Sequence, residues 1–380
     1  MFEPKSAAGG SDGNGGDPYR VMVVDDSAVI RGLLTRALEK DATVKVVASV
    51  GNGEAAIKAL ERHDIDVIIL DIEMPVMDGL TALPKLLAAK PGVQIIMAST
   101  LTRKNAEVSL RALQAGAADY LPKPSSTSEL TGADSFRREL LEKVKALGKA
   151  ARPARPATAR TTVASAESTV AVPRPVRPIS LRKPSSALPR IIAIGSSTGG
   201  PQALLEVLRD MAASVKLPIL ITQHMPATFT TLLAEHIERA TGVRCAEGKD
   251  GEPVTGGRIY LAPGNFHMTV ERSGPGSVIR LNQNPPENFC RPSVDPMLRS
   301  LSPIYGAALL TIILTGMGSD GQKGAAEVVQ AGGTVIAQDE ATSVVWGMPG
   351  AVATAGLCSA VLPLKEIGPS VRKMVMRSAA

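Results

Sequence analysis

The ten residues 191–200, IIAIGSSTGG, form the stretch of this chain that most strongly suggests chemistry. Residues 195–199 spell G-x-S-x-G, which places Ser197 at the centre of a nucleophile elbow, a sharp strand-to-helix turn that exposes a serine hydroxyl. In that register Ser196 points elsewhere. A glycine-rich turn before a helix can also hold a phosphate through backbone N–H groups, or can be a loop without chemistry. The phosphate interpretation is weaker because the stretch lacks the P-loop lysine and a third glycine at dinucleotide spacing.

A serine nucleophile needs a base, and the chain contains four histidines. His224 follows PILITQ, a predicted strand whose carboxyl end should lie beside that of residues 191–194. His267 follows APGNF and is the second candidate. His236 belongs to a helical pattern, and His63 lies in the other half of the chain. We therefore expect His224 to be the base.

The third group of such a site is a carboxylate that fixes the tautomer of the imidazole. The segment ALLTIILTGMGSDGQKG predicts a buried strand followed by a glycine-rich loop, which brings Asp320 to the same edge of the sheet. Composition alone leaves Asp295 and Asp339 open as alternatives. The chain order Ser–His–Asp differs from the Ser–Asp–His order of α/β-hydrolases, so we do not expect that fold. A zinc site is not indicated, because no His/Cys cluster has ligand spacing.

In the first half of the chain, five polar residues each follow a predicted strand: Asp25, Asp26, Asp71, Ser99 and Lys123. The carboxyl ends of parallel strands share one edge of a sheet, so these side chains should converge. Clustered carboxylates repel unless a cation neutralises them, and Mg²⁺ suits an all-oxygen site that also binds phosphate. The lysine and the hydroxyl add donors for phosphoryl oxygens. This group predicts phosphoryl transfer onto a carboxylate.

The elements that must position these residues are short apolar strands separated by helical patterns. In the first half we predict strands at Val21–Val24 and Val67–Leu70, one ending at Ser99 and a short one ending at Lys123. Alternating strands and helices predict an α/β fold, a doubly wound parallel sheet of the flavodoxin type. The second half repeats the strand–turn–helix pattern, so we expect a second α/β domain built on a parallel sheet.

A basic, proline-rich stretch separates the two halves. Residues 143–190 contain eleven Lys and Arg but one acid, and seven prolines lie between residues 153 and 189. Such a composition does not bury enough apolar surface to fold, and predicts a semi-extended linker. The predicted organisation is a disordered tail at residues 1–18, a first domain at 19–140, a linker at 141–188 and a second domain at 189–380.

Composition limits the possible location and partners of the protein. The net charge of +6 resides in the linker, since residues 143–190 carry +10, so we expect no nucleic-acid partner. No apolar run reaches the length of about 20 residues that a membrane-spanning helix needs, and the amino terminus lacks the plan of a signal peptide. Three cysteines without pair or metal spacing fit a reducing compartment. We expect a cytoplasmic protein without membrane insertion.

Residues 19–140 resemble the response-regulator receiver family in VVDDS, ILDIEMPVMDG, MASTLT and LPKP. The resemblance implies that a histidine kinase phosphorylates Asp71 and that Mg²⁺ assists. The implied metal ligands are Asp25, Asp26 and Asp71. The implied switch residues are Ser99 for the hydroxyl, Tyr120 for the aromatic ring and Lys123 for sensing the phosphate.

Residues 189–380 resemble the catalytic domain of the chemotaxis protein-glutamate methylesterases. The matching pieces, in order, are IGSSTGG, QHMP, YLAPGNFHM, RPSVDPM, LTGMGSDG and WGMPGAV. The implied triad is Ser197, His224 and Asp320, and the implied oxyanion and substrate region contains Thr198 and Met317. Cys290 stands before RPSVD where a polar residue is expected, and nothing near it in the sequence indicates a thiolate.

Together the two resemblances imply a phosphorylation-activated serine esterase without a cofactor in its catalytic domain. Its substrates would be glutamate γ-methyl esters on methyl-accepting chemoreceptors, with release of methanol, and glutamine side chains that it deamidates. We further expect the unphosphorylated receiver to cover the Ser197 edge. The alternatives are a non-catalytic scaffold, disfavoured by the Ser/His/Asp set, and a DNA-binding regulator, disfavoured because residues 189–380 lack a compact basic helix-turn-helix.

Overall fold

The computed structural model describes residues 17–100, 102–123, 134–152, 179–212 and 214–376. These residues form two α/β units, one on each side of the undescribed segment 153–178. The predicted tail falls mainly on residues 1–16, and most of the predicted linker falls on residues 153–178. Both lie outside the described residues.

The first unit contains a five-stranded parallel sheet with strand order β2-β1-β3-β4-β5. Its strands are β1 (Tyr19–Val24), β2 (Val44–Val50), β3 (Val67–Asp71), β4 (Gln94–Ser99) and β5 (Asp119–Pro122). Its helices are α1 (Ala28–Leu38), α2 (Gly53–Leu60), α3 (Gly79–Ala89), α4 (Arg103–Gln114) and α5 (Asp134–Ala151). The predicted doubly wound parallel sheet is confirmed.

Both faces of this sheet are covered, which explains why its strands read as continuous apolar runs. Successive side chains of a strand point to opposite faces. Met22 and Val24 belong to one hydrophobic cluster, and Val21 and Val23 belong to another. Strand β2 was missing from the predicted elements. It lies at the edge of the sheet and is only partly buried, whereas every residue of β3 is buried.

Helix α5 corrects the predicted boundary at residue 140, because the helix continues to Ala151. Leu140, Val144 and Leu147 follow helical spacing and are fully buried against the first sheet. The lysines that made this segment resemble a linker are part of the helix, and Lys143 is itself buried and paired with Asp119. The first unit therefore includes residues 141–151.

The second unit contains a seven-stranded parallel sheet with strand order β14-β13-β12-β6-β7-β9-β8, and a separate antiparallel hairpin of β10 and β11. Its strands are β6 (Ile191–Ser196), β7 (Ile219–Gln223), β8 (Cys245–Glu247), β9 (Ile259–Leu261), β10 (His267–Ser273), β11 (Gly276–Asn282), β12 (Leu309–Ile313), β13 (Thr334–Gln338) and β14 (Ala360–Leu362). Its helices are α6 (Gly200–Met211), α7 (Ala227–Thr241), α8 (Val294–Tyr305), α9 (Gln322–Gln330), α10 (Met348–Thr354) and α11 (Leu364–Met376), with a 3₁₀ turn at Gly306–Ala308.

Strands β7, β6 and β12 are neighbours in the middle of this sheet. Because they are parallel, the segments that follow them meet at one edge, as open α/β sheets require for a ligand site. These segments contain Ser197, His224 and Asp320, so the topology brings the predicted triad to a single edge. The predicted parallel-sheet architecture of the second domain is confirmed.

Candidate active site

The nucleophile elbow lies between the end of β6 and the start of α6. The Ser197 N–H donates to the Thr315 carbonyl at 3.0 Å, and the Ser197 carbonyl accepts from the Gly200 N–H at 2.7 Å. Gly199 adopts a φ of +76°, in the left-handed region that favours glycine. A Cβ atom on Gly200 would lie 2.0 Å from the Gln223 Oε1 atom. The turn therefore needs both glycines in these places.

Of the two adjacent serines, Ser196 points away from the cavity that Ser197 lines, as the sequence predicts. Ser196 is fully buried and its hydroxyl donates to the Gln223 Oε1 atom at 2.7 Å. The Gln223 Nε2 amide donates to the carbonyls of Ser197 at 2.9 Å and His224 at 3.2 Å. Gln223 thus fixes the backbone of the elbow to that of the predicted base. Sequence reasoning overlooked this residue, although its position directly before His224 was visible.

His224 and Asp320 form a close pair. The His224 Nε2 atom lies 2.7 Å from the Asp320 Oδ2 atom. An ionised carboxylate only accepts hydrogen bonds, so Nε2 carries the proton and Nδ1 is the ring nitrogen left for proton exchange. Ser197 lines the same cavity as this pair. The structure therefore brings together the three residues that the sequence predicts.

The Asp320 carboxylate lies at the amino terminus of α8. It accepts from the backbone N–H groups of Val294 at 2.6 Å and Asp295 at 3.1 Å, and from the Ser293 hydroxyl at 2.8 Å. Burial by itself raises the pKa of Asp320, but the His224 pair and these donors outweigh it and lower the pKa below its usual range. Asp320 is thereby held as an anion, which a helix amino terminus favours.

The pKa of His224 is shifted in the opposite direction. Burial by itself lowers it, but the Cys290 sulfur and the Asp320 carboxylate outweigh burial and raise the pKa of His224 above its ordinary value of 6.5. Cys290 is within hydrogen-bonding reach of the imidazole. This contact could not be predicted from the sequence, because Cys290 and His224 are far apart in the chain.

The other candidates occupy different surroundings. Asp295 accepts from the Gly324 N–H at 2.7 Å, and burial together with the neighbouring Asp320 charge raises its pKa. Asp339 accepts from the backbone and hydroxyl of Thr342. His267 is buried, with its Nε2 atom 3.2 Å from the Pro285 carbonyl. Of the remaining two histidines, His63 lies in the bend that follows α2 in the first unit, and His236 lies in α7, with its Nδ1 atom 3.3 Å from the Gln114 Nε2 amide. None of the five takes the place of His224 or Asp320.

A tight turn at Glu287–Cys290 lies beside the triad. Asn288 and Phe289 have φ values of +51° and +63°, and the Glu287 and Cys290 backbones exchange two hydrogen bonds. Two central residues with positive φ indicate a type I′ turn, in which Asn followed by Gly is preferred. The Asn288 Nδ2 amide donates to Asp320 at 2.8 Å and to Asp295 at 3.0 Å. The turn is thereby fixed to the triad carboxylate.

Phe289 occupies the glycine position of this turn, at a cost of about 1–3 kcal/mol for a bulky residue in the left-handed region. Its side chain is 74% exposed. The guanidinium of Arg138, in α5, lies 4.0 Å from the ring centroid. An exposed cation–π contact contributes only about 0.5–1 kcal/mol, so this contact does not by itself offset the cost of the conformation.

The first unit covers the triad, and the cavity of about 710 Å³ between the two units is lined by residues of both. The Thr198 hydroxyl donates to the Asp119 Oδ2 atom at 2.6 Å, and both residues are buried. Lys143 lies 3.1 Å from the same carboxylate oxygen. Met317 lines the cavity and packs against the hydrophobic cluster that contains Leu140 and Val144. Both residues predicted for the oxyanion region thus contact the first unit.

Two further contacts join the units. The ring of Tyr120 stacks on that of Phe229, in α7, with centroids 4.3 Å apart and planes at 15°. The Gln202 Nε2 amide, in α6, donates to the carbonyls of Leu113 and Ala117, both at 2.8 Å. The face of the first unit that contains α4, β5 and α5 is therefore the face that covers the site of Ser197, His224 and Asp320.

The acidic cluster of the first unit forms as predicted. Asp25, Asp26 and Asp71 offer carboxylate oxygens within 4.8 Å of one another. Lys123 Nζ lies 2.6 Å from both the Asp25 Oδ2 and the Asp71 Oδ1 atoms. Burial raises the pKa of Asp71, although Lys123 acts against that shift. An all-oxygen set with one lysine fits a hard divalent cation and a phosphoryl group.

The two remaining switch candidates occupy different positions. The Ser99 hydroxyl lies at the end of β4, beside the acidic cluster, and is hydrogen-bonded to the Ser109 hydroxyl at 3.1 Å. Tyr120 is buried, and its backbone carbonyl accepts from Lys143 at 2.7 Å. Ser99 therefore lies at the edge that holds the acidic cluster, whereas Tyr120 lies in the contact between the units.

Comparison with known proteins gives two family matches, CheB methylesterase over residues 192–371 and response regulator receiver domain over residues 21–133. The chain is 64% identical to a protein-glutamate methylesterase/protein-glutamine glutaminase of Rhodospirillum centenum, with 96% of each chain covered. It is 62% identical to the protein of that name from Azospirillum brasilense, with 99% of this chain and 98% of the relative covered.

Among solved structures, the Thermotoga maritima CheB methylesterase catalytic domain is 39% identical, with 50% of this chain and 100% of that chain covered and a TM-score of 0.48. The response regulator domain of Thermotoga maritima CheB is 34% identical, with coverages of 35% and 97% and a TM-score of 0.32. Among the residues that the structure describes, no helix combines the length and apolar character needed to cross a membrane.

Proposed function

Because this chain belongs to the CheB methylesterase family and carries a receiver domain ahead of the esterase domain, we propose that it is a phosphorylation-gated serine esterase acting on chemotaxis receptors. The substrates are glutamate γ-methyl esters. The observation that carries the proposal is the 2.7 Å pair of His224 and Asp320 in the cavity that Ser197 lines. The names of the relatives support the substrate class.

In the first half of the reaction, the Ser197 oxygen attacks the ester carbonyl and His224 Nδ1 takes the serine proton. The carbonyl π bond opens, and the resulting oxyanion accepts from backbone N–H groups, that of Thr198 among them. The tetrahedral centre then collapses, the bond to methoxide breaks, and His224 protonates the leaving group to give methanol. The glutamyl group remains esterified to Ser197.

In the second half, water attacks the acyl-enzyme and transfers a proton to His224, which returns it to the Ser197 oxygen as the acyl bond breaks. The glutamic acid side chain that is released then loses its proton to solvent. Asp320 stays ionised throughout and stabilises the imidazolium. Glutamine deamidation uses the same acyl intermediate with ammonia as the leaving group, in agreement with the glutaminase name of the relatives. In this proposal the steps use side chains and backbone N–H groups of the esterase domain, together with water.

The receiver supplies the gate. Asp119 holds the hydroxyl of Thr198, next to the nucleophile, and thereby puts a carboxylate close to the place where the oxyanion develops. Lys143 pairs with that carboxylate, so the receiver acts at this place by covering the elbow and excluding substrate. Tyr120 belongs to the same contact through its stack on Phe229, so a displacement of Tyr120 on phosphorylation would weaken the docking of the receiver. We expect phosphorylation to release the receiver from this edge.

The phosphoryl acceptor in this proposal is Asp71, and the donor is the phosphohistidine of a chemotaxis histidine kinase. Asp25, Asp26 and Asp71 would hold Mg²⁺, which offsets phosphoryl charge when bound. Lys123 pairs with Asp25 and Asp71 in this structure, and is positioned to pair with the phosphoryl group instead. Ser99 is positioned to donate to a phosphoryl oxygen once it gives up its bond to Ser109.

The test is methanol release from methylated receptor, with and without a small-molecule phosphodonor plus Mg²⁺. We expect release that increases with the phosphodonor, and none from Ser197→Ala under either condition. Equal release by the wild-type chain in both conditions would refute the gate but keep the esterase. Absence of release from several related receptors would refute the esterase and favour a scaffold.

A further inference from the structure

The Glu287–Cys290 turn carries a feature that the triad chemistry does not use. Phe289 places a large aromatic ring in solvent at the rim of the active-site cavity. Exposed single hydrophobic residues are common and need no explanation. This one also occupies the left-handed position of a type I′ turn, where glycine is preferred and a bulky residue is strained. Because the ring is mostly exposed, its packing within the protein does not offset the free-energy cost of the strained backbone.

The turn is held rigidly on both sides of the ring. Asn288 donates to Asp320 and Asp295, and the adjacent Cys290 contacts the imidazole of His224. Glu287 pairs with Arg299 of α8 at 2.5 Å. The position of the Phe289 ring is thus fixed relative to the reacting groups, as expected of a residue that orients a bound substrate.

A role as a latch for the receiver is the other interpretation of the ring. Arg138 of α5 does lie over it, but the ring keeps most of its surface exposed while the receiver is docked. A contact of this kind is weak in solvent and smaller than the cost of the strained backbone. The contact with Arg138 therefore does not explain the strained backbone of Phe289. A partner that covers the ring once the receiver has moved away explains it better.

We propose that Phe289 is a specificity-determining residue that packs against apolar side chains of the receptor helix, next to the glutamate whose ester is cleaved. This inference rests on the proposed function, because the receptor is the occupant. On a helical substrate segment, apolar side chains three and four residues from the esterified glutamate lie on the same face as that glutamate. The ring lies on the rim of the cavity that contains the triad, so helix and ester can engage together. Arg138 then covers, in the docked state, a surface that the substrate needs.

The test is Phe289→Gly in the full chain, activated by phosphodonor and Mg²⁺. Glycine keeps the left-handed turn and removes the ring, so Asn288 keeps its place beside Asp320. We expect the KM for methylated receptor to increase about tenfold with kcat within twofold, since a buried aromatic anchor is lost. Hydrolysis of p-nitrophenyl acetate, which is too small to reach the ring and the triad together, should be unchanged. Phe289→Leu should restore most of the affinity.

The matched control is Leu188→Ala, which removes another exposed apolar side chain of the same unit, outside the cavity lining. It should change neither rate. An unchanged KM for receptor in Phe289→Gly would overturn the proposal. An equal loss of kcat/KM on receptor and on the small ester would also overturn it, because it would indicate a positioning role. A third refuting result is a higher rate without phosphodonor in both Phe289→Gly and Arg138→Ala, with an unchanged KM, which would indicate a latch. Failure of the wild-type chain to act on receptor while it cleaves the small ester would refute the proposed function, and this inference with it.

Discussion

Replacing Gln202 by alanine should weaken the docking of the receiver and leave the triad intact. The Gln202 amide donates to the carbonyls of Leu113 and Ala117, both at 2.8 Å, and makes the link between α6 and the receiver. Each such hydrogen bond contributes about 0.5–1.5 kcal/mol net. In the undocked state water bonds the amide and both carbonyls, so the substitution destabilises only the docked state. The two lost hydrogen bonds together make the free energy of docking less favourable by about 2 kcal/mol. That corresponds to a shift of about 30-fold in the docking equilibrium.

The assay is initial methanol release without phosphodonor, followed by the same measurement with phosphodonor and Mg²⁺. We expect Gln202→Ala to increase the basal rate by up to about 30-fold, limited by the rate of the phosphorylated chain. The maximal rate should not change. Gln330→Ala, which removes an exposed glutamine at the end of α9, is the control and should alter neither rate. An unchanged basal rate in Gln202→Ala would refute the docking argument, and an equal change in both rates would show that the substitution acts on the esterase domain itself.

Three further predictions concern the triad and the phosphorylation site. Asp320→Asn should lower kcat by about 10³–10⁴-fold without unfolding the chain, as measured by methanol release and thermal unfolding, because the imidazole loses its orienting anion. Since the pKa of His224 is raised and the base must be neutral, kcat/KM should increase with pH with a midpoint above 6.5; a midpoint at or below 6.5 would contradict the geometry. Asp71→Asn should keep the basal rate and lose activation by phosphodonor, and retained activation would contradict the assignment of Asp71.

The sequence was sufficient to predict the two parallel sheets and the groups at their carboxyl edges, because those signals are local. A buried apolar run followed by Ser197 or by Asp71 identifies both a strand and the functional residue after it. Strand β2 lacked such a signal, because it lies at an edge and carries no functional residue at its end. Helix α5 was divided in the prediction because its lysines resembled the linker, whereas the burial of Val144 and Leu147 depends on a sheet that composition does not reveal.

The contacts that sequence reasoning did not find join residues that are far apart in the chain. Asn288 reaches Asp320, Cys290 reaches His224, and Asp119 reaches Thr198 from the other domain. No spacing rule connects such positions, since each contact exists only after the sheets have formed and packed. The last of these pairs has the widest consequence for mechanism. Because the receiver carboxylate accepts a hydrogen bond from the residue next to the nucleophile, the receiver covers the site at the elbow itself, and undocking the receiver uncovers the nucleophile.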